Sequence, residues 1–242
     1  MPVTLYQYPG GDGVGSVSPP CLRVDLALRW LGLDFTRRNL RGGADKVSPT
    51  GRLPVLEIDG ERFVESTRIL DELEHRYDVP WKVASESDAA HLRLWEYSIN
   101  EYYYWLGFSM RWVDGPGRER FLTVLLAGAD AITRFMVRNV FVRRQIKRAQ
   151  RHGAGLRDRA DVLAEIERGF DLLVTDLGDG PYLLGRDTAS RADLTVTSLF
   201  AQAGFGDSMP ELLKMIEARP TVRPYLQRVC DLVGGEKPRW LR

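Results

Sequence analysis

A hydroxyl and a thiol stand three residues apart in Ser18-Pro19-Pro20-Cys21-Leu22-Arg23-Val24, just ahead of a run whose apolar residues Val24, Leu28 and Leu31 recur at helical spacing. Two cysteines at that spacing would make a dithiol redox pair, and with serine in the first position that chemistry is absent. There remains a hydroxyl at a helix start. Serine is a favoured N-cap and proline suits the first helical positions, while the unpaired N–H groups there stabilise an anion. Ser18 therefore reads either as a plain cap or as a donor to a sulfur the protein borrows. The energetic demand on such a donor is definite. A free thiol titrates near about 8.5, and lowering that by roughly two units needs roughly 2.7 kcal/mol of preference for the thiolate. Cys21, one turn inside, reads as a packing residue, with a low-pKa thiol as the alternative.

Further residues have types and places that suit ligand binding. Pro54 interrupts "LPVLEI" (53 to 58), an otherwise good strand, and cannot donate a ladder hydrogen bond, so either the strand begins there or the bond is cis. Ser66 opens a helix, which makes it a plain cap or an anion site, and Glu65 beside it is placed to pair with an ammonium group. Between 134 and 159 nine Arg or Lys residues stand against one Asp, with Arg144, Lys147, Arg148 and Arg151 on one helical face. That face is expected to be solvated, with an anionic partner as the alternative. His75, His91 and His152 are dispersed without metal-ligand spacing, so metal catalysis is set aside.

The elements that must position these groups divide the chain. "VTLYQY" (3 to 8) reads as a strand, followed by the glycine-rich loop "PGGDGVGSV", the helix from Ser18 to Gly32, and a strand at 34 to 40. After 53 to 58, Asp59-Gly60 signals a hairpin into "ERFV", and a helix starts at Ser66 with Ile69, Leu70, Leu73 and Tyr77 inward. Beyond a linker-like "DVPWKVAS" (78 to 85) strand signals cease. A capping pair, Ser85 and Asp88, opens a long helix with Leu92, Trp95, Ile99, Tyr102, Leu106 and Met110 inward. A second long helix is expected over about 119 to 151, with Ile132, Phe135, Val142, Ile146 and Ala149 on one side, then helices at about 158–177, 191–203 and 210–232, the last broken at Pro220. The pattern predicts a small α/β domain over 1–79 and an all-helical domain over 86–242.

Four ordered motifs carry a family resemblance. "SPTGRLPVLEIDG" resembles the Asn/Ser-Pro-x-Gly-x-Val/Leu-Pro-x-Leu segment of the glutathione transferase superfamily, whose proline is cis. "ESTRIL" (65 to 70) is similar to the Glu/Gln-Ser that opens that family's third helix, "YLLGRDTASRADLTVTSLF" (182 to 200) resembles its Ser/Thr-x-x-Asp capping box, and "MPELLKMIEARPTVRPYLQRV" (209 to 229) resembles its C-terminal helices. The stretch from "RRQIKRAQRHG" to "DGPYLLG" also resembles the metaxin and failed-axon-connections group.

The resemblance implies a thioredoxin-like N-terminal domain, an all-α C-terminal domain and a homodimer. It implies glutathione as co-substrate, with no metal, and a reaction adding its thiolate to a small hydrophobic electrophile. Ser18 matches the family's activating serine; Leu53, beside a cis Pro54, would pair with the cysteinyl unit; Glu65 and Ser66 would seat the γ-glutamyl end; Arg52 and Lys46 would reach the glycyl carboxylate. Tyr103, Tyr104, Trp105 and Arg111 fall on the helix that borders the second-substrate pocket, where they are either wall or core. The long glycine-rich loop departs from the family and lets Tyr6 or Tyr8 compete as hydroxyl donor. The alternatives are a glutathione-transferase-like binding protein without catalysis, or a user of another low-molecular-weight thiol.

Composition narrows the field. The 242 residues are 44% hydrophobic and 28% charged with a net charge of +1, so no bulk field favours nucleic acid. No apolar run approaches a membrane span, and the start lacks a basic stretch followed by an apolar one, so a cytoplasmic location is expected. Cys21 and Cys230 are too few for a disulfide framework.

Overall fold

The computed structural model describes residues 2–242. In β1 (Val3–Gln7) the alternation predicted from sequence is realised, with Val3, Leu5 and Gln7 buried and the residues between them half-buried. β1 pairs in parallel with β2 (Thr36–Asn39) and antiparallel with β3 (Val55–Ile58), Leu5 opposite Leu56, and β3 pairs with β4 (Glu61–Val64), giving the order β2-β1-β3-β4. The Asp59-Gly60 turn has both residues at positive φ, 51° and 88°, which a tight hairpin between right-twisted strands demands. The Leu53–Pro54 bond is cis, and β3 starts immediately after it.

Two helices complete this small mixed-sheet domain, α1 (Pro19–Trp30) and α2 (Ser66–Arg76). α1 is buried over nearly all its circumference, Arg23 and Asp25 included, because α9 (Arg191–Phe200) covers it from the helical side. One hydrophobic core runs through both regions, from Leu5 and Leu56 through Leu28 to Leu194 and Leu226.

From Glu86 onward the described residues form nine α-helices. α3 (Glu86–Tyr97) continues through a π-helical turn, Ser98–Tyr103, into α4 (Tyr104–Trp112). Ser85 caps α3 by accepting from the Asp88 N–H at 3.2 Å, as predicted. At the π turn Tyr102, predicted inward, is exposed and bonds Glu165, while Tyr103 goes inside; beyond it Leu106 and Met110 are buried as predicted.

The long helix predicted over 119–151 is three pieces. α5 (Gly115–Leu125) ends before Gly128, at φ +73°, and Asp130 caps α6 (Ala131–Met136) by accepting from the Thr133 N–H at 2.7 Å. A second π turn, Val137–Phe141, joins α6 to α7 (Val142–His152). Val142 and Ala149 are buried as predicted, but Ile132 and Phe135 are 77% and 63% exposed. α8 (Arg159–Leu177), α9, α10 (Pro210–Glu217) and α11 (Val222–Leu232) follow the predicted order, with the break near Pro220. Asp193 closes the capping box of α9 with Ser190, and its other oxygen accepts from the Leu183 N–H and the Tyr225 hydroxyl.

A cluster of buried charges joins the two regions. Arg23 of α1 places Nη1 3.6 Å from Glu96 of α3, and Arg191 of α9 places Nε 2.9 Å from the other oxygen of Glu96, all three side chains being at most 8% exposed. Asp71 and Glu74 of α2 flank Arg191 at 2.7 and 3.0 Å. Removing one member of such a group strands its partners' charges. Glu96→Gln is therefore expected to lower unfolding free energy by about 3–5 kcal/mol in a urea titration, whereas exposed Leu94→Ala should change it by less than about 0.5 kcal/mol. A loss for Glu96→Gln no larger than that of the surface control would show that these charges do not hold the regions together.

Candidate functional site

Ser18 is the N-cap of α1, with φ −106° and ψ 117°, and its hydroxyl makes no capping hydrogen bond. The hydroxyl is thus at the cap position without being consumed by it. Its own N–H donates to the Ser16 hydroxyl, whose proton goes to the Tyr8 carbonyl at 2.7 Å. Residues Val17 to Pro19 and Tyr8 form one wall of a cavity of about 1280 Å³, closed on the helical side by α4, by the α6–α7 segment and by α9.

The glycine-rich loop before Ser18 is ordered by groups remote in sequence. Gly11 and Val14 exchange backbone hydrogen bonds of 3.0 and 2.9 Å, and a side chain at Gly10 would collide with the Val14 carbonyl at 2.0 Å. Arg111 donates to the Val17 carbonyl at 2.8 Å and to Gln202 at 2.9 Å, and Gln202 donates to the Ser16 carbonyl at 3.0 Å. The C-terminal tail lies over the outer side of the loop, the Arg239 N–H donating to the Asp12 carbonyl at 3.0 Å. Asp25 and Glu236 hold Arg37 from two sides, which ties tail, α1 and β2 together.

Of the residues predicted for the site, the fold brings Ser18, Arg52, Tyr103, Tyr104 and Arg111 to this cavity. Leu53, Pro54, Glu65 and Ser66 lie outside its wall. Leu53 is buried beside Cys21 and Val55, and neither its N–H nor its C=O makes a backbone hydrogen bond among the described residues. Ser66 is buried, and its oxygen accepts from Arg23 at 2.6 Å. Glu65 is exposed and holds φ at +69°, a backbone conformation that side chains rarely adopt. Lys46 is absent from the wall, where Arg41, unsuspected from sequence, takes a place.

The two strand tyrosines separate. Tyr8 lines the cavity, and burial raises its phenol pKa. Tyr6 instead bonds Glu57 at 3.4 Å beneath the Arg62 guanidinium. Burial likewise raises Tyr104, against the opposing pull of Arg148 and Arg111. Tyr103 packs so closely on Gly169 of α8 that any side chain there would meet its ring at 2.4 Å, so it is core as much as wall. Trp105 stacks on His152 at 4.0 Å. Burial drives the Arg111 pKa down to about 10, and its guanidinium is spent on the backbone ahead of Ser18.

Sequence reasoning missed Gln202, whose setting "FAQAG" carries no motif. On α7, Arg144, Lys147 and Arg151 are exposed, as expected of a solvated face, and Arg148 is half-buried. Arg144, Lys147, Arg148 and Arg151 all border the cavity. Among the described residues no three His, Cys, Asp or Glu side chains come together to hold a metal ion, and no helix is long and apolar enough to cross a membrane.

Residues 16–81 match the family described as glutathione S-transferase, N-terminal domain. Solved structures with the same fold include the β-etherase LigF from Sphingobium sp. strain SYK-6, with TM-score 0.60 and 22% identity, covering 94% of this chain and all of that one. Residues 16–81 thus carry a glutathione S-transferase N-terminal domain, and the chain has the fold of these solved structures. Glutathione transferase F7 from Populus trichocarpa shares the fold at TM-score 0.60 and 17% identity, over 94% of this chain and 93% of its own. Failed axon connections from Drosophila melanogaster is 34% identical over 76 residues, which span 31% of this chain but only 18% of that relative.

Cys21 sits where a second redox sulfur of this fold would be, yet it is fully buried and burial pushes its thiol up to about 11, with Cys230 similarly raised to about 11. Both are protonated at neutral pH and shielded from solvent. Native protein at pH 8 should therefore leave both cysteines unlabelled by 5,5′-dithiobis(2-nitrobenzoate) over minutes, and denatured protein should release two equivalents; rapid native labelling of Cys21 would return it to the candidates for chemistry.

Proposed function

We propose that this protein is a glutathione-dependent transferase that adds the glutathione thiolate to a small hydrophobic electrophile. The observation that supports this best is the Ser18 hydroxyl, which makes no capping hydrogen bond at the start of α1, neighbours the Cys21 thiol and borders a large cavity whose wall includes Phe108, Trp112 and Phe141. A hydroxyl donor at the positive end of the α1 dipole favours a thiolate in that position, and it must supply most of the hydrogen bonding because Pro19 and Pro20 carry no N–H and the Leu22 N–H is bonded to the Ser18 carbonyl. Residues 1–79 act as the glutathione-binding domain and 86–242 supply the electrophile pocket, in a cytoplasmic homodimer.

In this reading Ser18 stabilises the sulfur, and the free N–H and C=O of Leu53, next to Pro54, pair with the cysteinyl unit. Glu65 and Ser66 receive the γ-glutamyl end at the start of α2, while Arg52 attracts the glycyl carboxylate. The left-handed Glu65 suits such a role, because strained backbone is retained where surroundings or function require it. Tyr104 and Tyr103 face the electrophile. Arg111 positions residues 16–17 and so aims Ser18, which is a supporting role distinct from substrate contact.

One observation favours the second reading, a binding protein that retains the fold without transfer. The Ser66 oxygen is already engaged by Arg23, and Glu65 and Ser66 lie outside the cavity wall. Calorimetric titration of glutathione separates the two. Under the transferase reading wild type binds in the micromolar to low-millimolar range, and Ser66→Ala weakens binding by roughly 1–3 kcal/mol. No heat at millimolar glutathione selects the second reading. Ser18→Ala should leave binding within about twofold while raising the pKa of the bound thiol, read by thiolate absorbance, by roughly two units. An unaltered thiol pKa would remove Ser18 from the mechanism.

A further inference from the structure

The cavity is lined by seven cationic side chains and a single acidic one, Asp45, in a chain whose net charge is only +1. Four of them, Arg144, Lys147, Arg148 and Arg151, form the row on α7, spaced three and four residues apart so that like charges stack along one face. Such stacking destabilises a helix unless something offsets it. Among the described residues no carboxylate forms an ion pair with any of the seven. Of the remaining three, Arg111 is committed to backbone, and Arg41 and Arg52 belong to the segment that approaches glutathione in the transferase reading.

Arg148 is the best placed of the row. Its guanidinium lies 4.9 Å from the Trp105 ring centre and 5.1 Å from that of Phe108, contacts that restrict it and strip water from one of its faces. Its Nε is buried without a hydrogen-bond partner. Its charge acts on the phenols of both Tyr8 and Tyr104, which line the same cavity as Ser18. Beside the row, Met136, Val140 and Phe141 of the α6–α7 segment and Trp112 of α4 supply an apolar surface within the same cavity. Inorganic phosphate would leave that surface unused, and a purely apolar molecule would leave the charges unpaired.

We propose that the second substrate is an amphipathic acid, its apolar electrophilic body lying on the α6–α7 segment and its carboxylate or sulfonate held by Arg148 with Arg144 and Lys147. The reaction, though not the binding, rests on the transferase reading: the glutathione sulfur forms a bond to the electrophilic carbon, and the leaving group departs with the electron pair of the bond that breaks. A charge-assisted bond to a guanidinium held in a partly desolvated cavity is stronger than one in open water.

The test compares 1-naphthoate with its uncharged analogue 1-naphthamide by calorimetry on the full chain, alongside glutathione itself. Wild type should bind the acid at least tenfold more tightly than the amide, and the preference should shrink as salt rises from 50 to 300 mM. Arg148→Gln should reduce the preference at least fivefold. Because Arg148 also packs on two rings, the exposed pair Arg144→Gln/Lys147→Gln serves as a second variant, and loss of preference in either variant that keeps the wild-type circular dichroism supports the site. Equal affinity for acid and amide, binding of neither, or a preference that survives in both variants overturns it. An acid preference without glutathione heat sinks the transferase reading and leaves the acid site standing; glutathione heat without an acid preference does the reverse.

Discussion

The buried guanidinium of Arg23 governs how the two regions meet. Burial lowers its pKa to about 10, and a charge taken out of water needs partners with good geometry. These come from three other elements: Ser66 and Thr67 of α2, Glu96 of α3, and Thr195 of α9, at 2.6, 2.9, 3.6 and 3.2 Å. Glu96 in turn meets Arg191. The attraction inside a low-dielectric interior largely offsets the cost of desolvation, so the cluster contributes orientation more than net stability. Its consequence is positional, since the start of α1 and the helices that wall the cavity share one set of charges. The same cluster engages the Ser66 oxygen, so the structural junction and the proposed γ-glutamyl site compete for one hydroxyl.

A second constraint acts on the loop ahead of Ser18. A long glycine-rich connection is expensive to order, because glycine loses the most conformational freedom on folding. Here the cost is met from three directions, by the internal pair Gly11 and Val14, by Arg111 with Gln202, and by the tail through Arg239. Gly13, at φ +79°, allows the tail to approach, since a side chain there would stand 2.4 Å from the Lys237 carbonyl. The long connection is therefore braced rather than loose, and Ser18 stays at the cavity edge.

Much of the architecture was legible because its signals are local. The Ser85 and Ser190 caps, the Asp59-Gly60 hairpin and the alternation in β1 depend on residues within a few positions of one another. The errors arose where local periodicity was carried too far. Within the π turn at Ser98–Tyr103 the inward residue is Tyr103 rather than Tyr102. The break between α5 and α6 was written in Gly128 and Asp130, but the apolar spacing across it looked continuous. For the site, Ser18, Arg52 and the aromatic helix could be named from motif and order. Arg41, Gln202 and the role of Arg111 as a brace could not, because their partners lie far away in sequence.

By itself the sequence determined the element types, the strand-to-helix transition near residue 80, the cap at Ser18 and the grouping of four cations on one helical face. Those properties follow from backbone preferences and the two side-chain periodicities, which act over a few residues. Only the tertiary structure decided what each face meets. It turned the basic side of α7 toward the cavity, buried Cys21 against Leu53 and Val55, and brought Arg23 against Glu96 across 73 residues of chain. The reason is physical: burial, desolvation and the pairing of charges are set by distances between elements, and no short-range pattern encodes those distances.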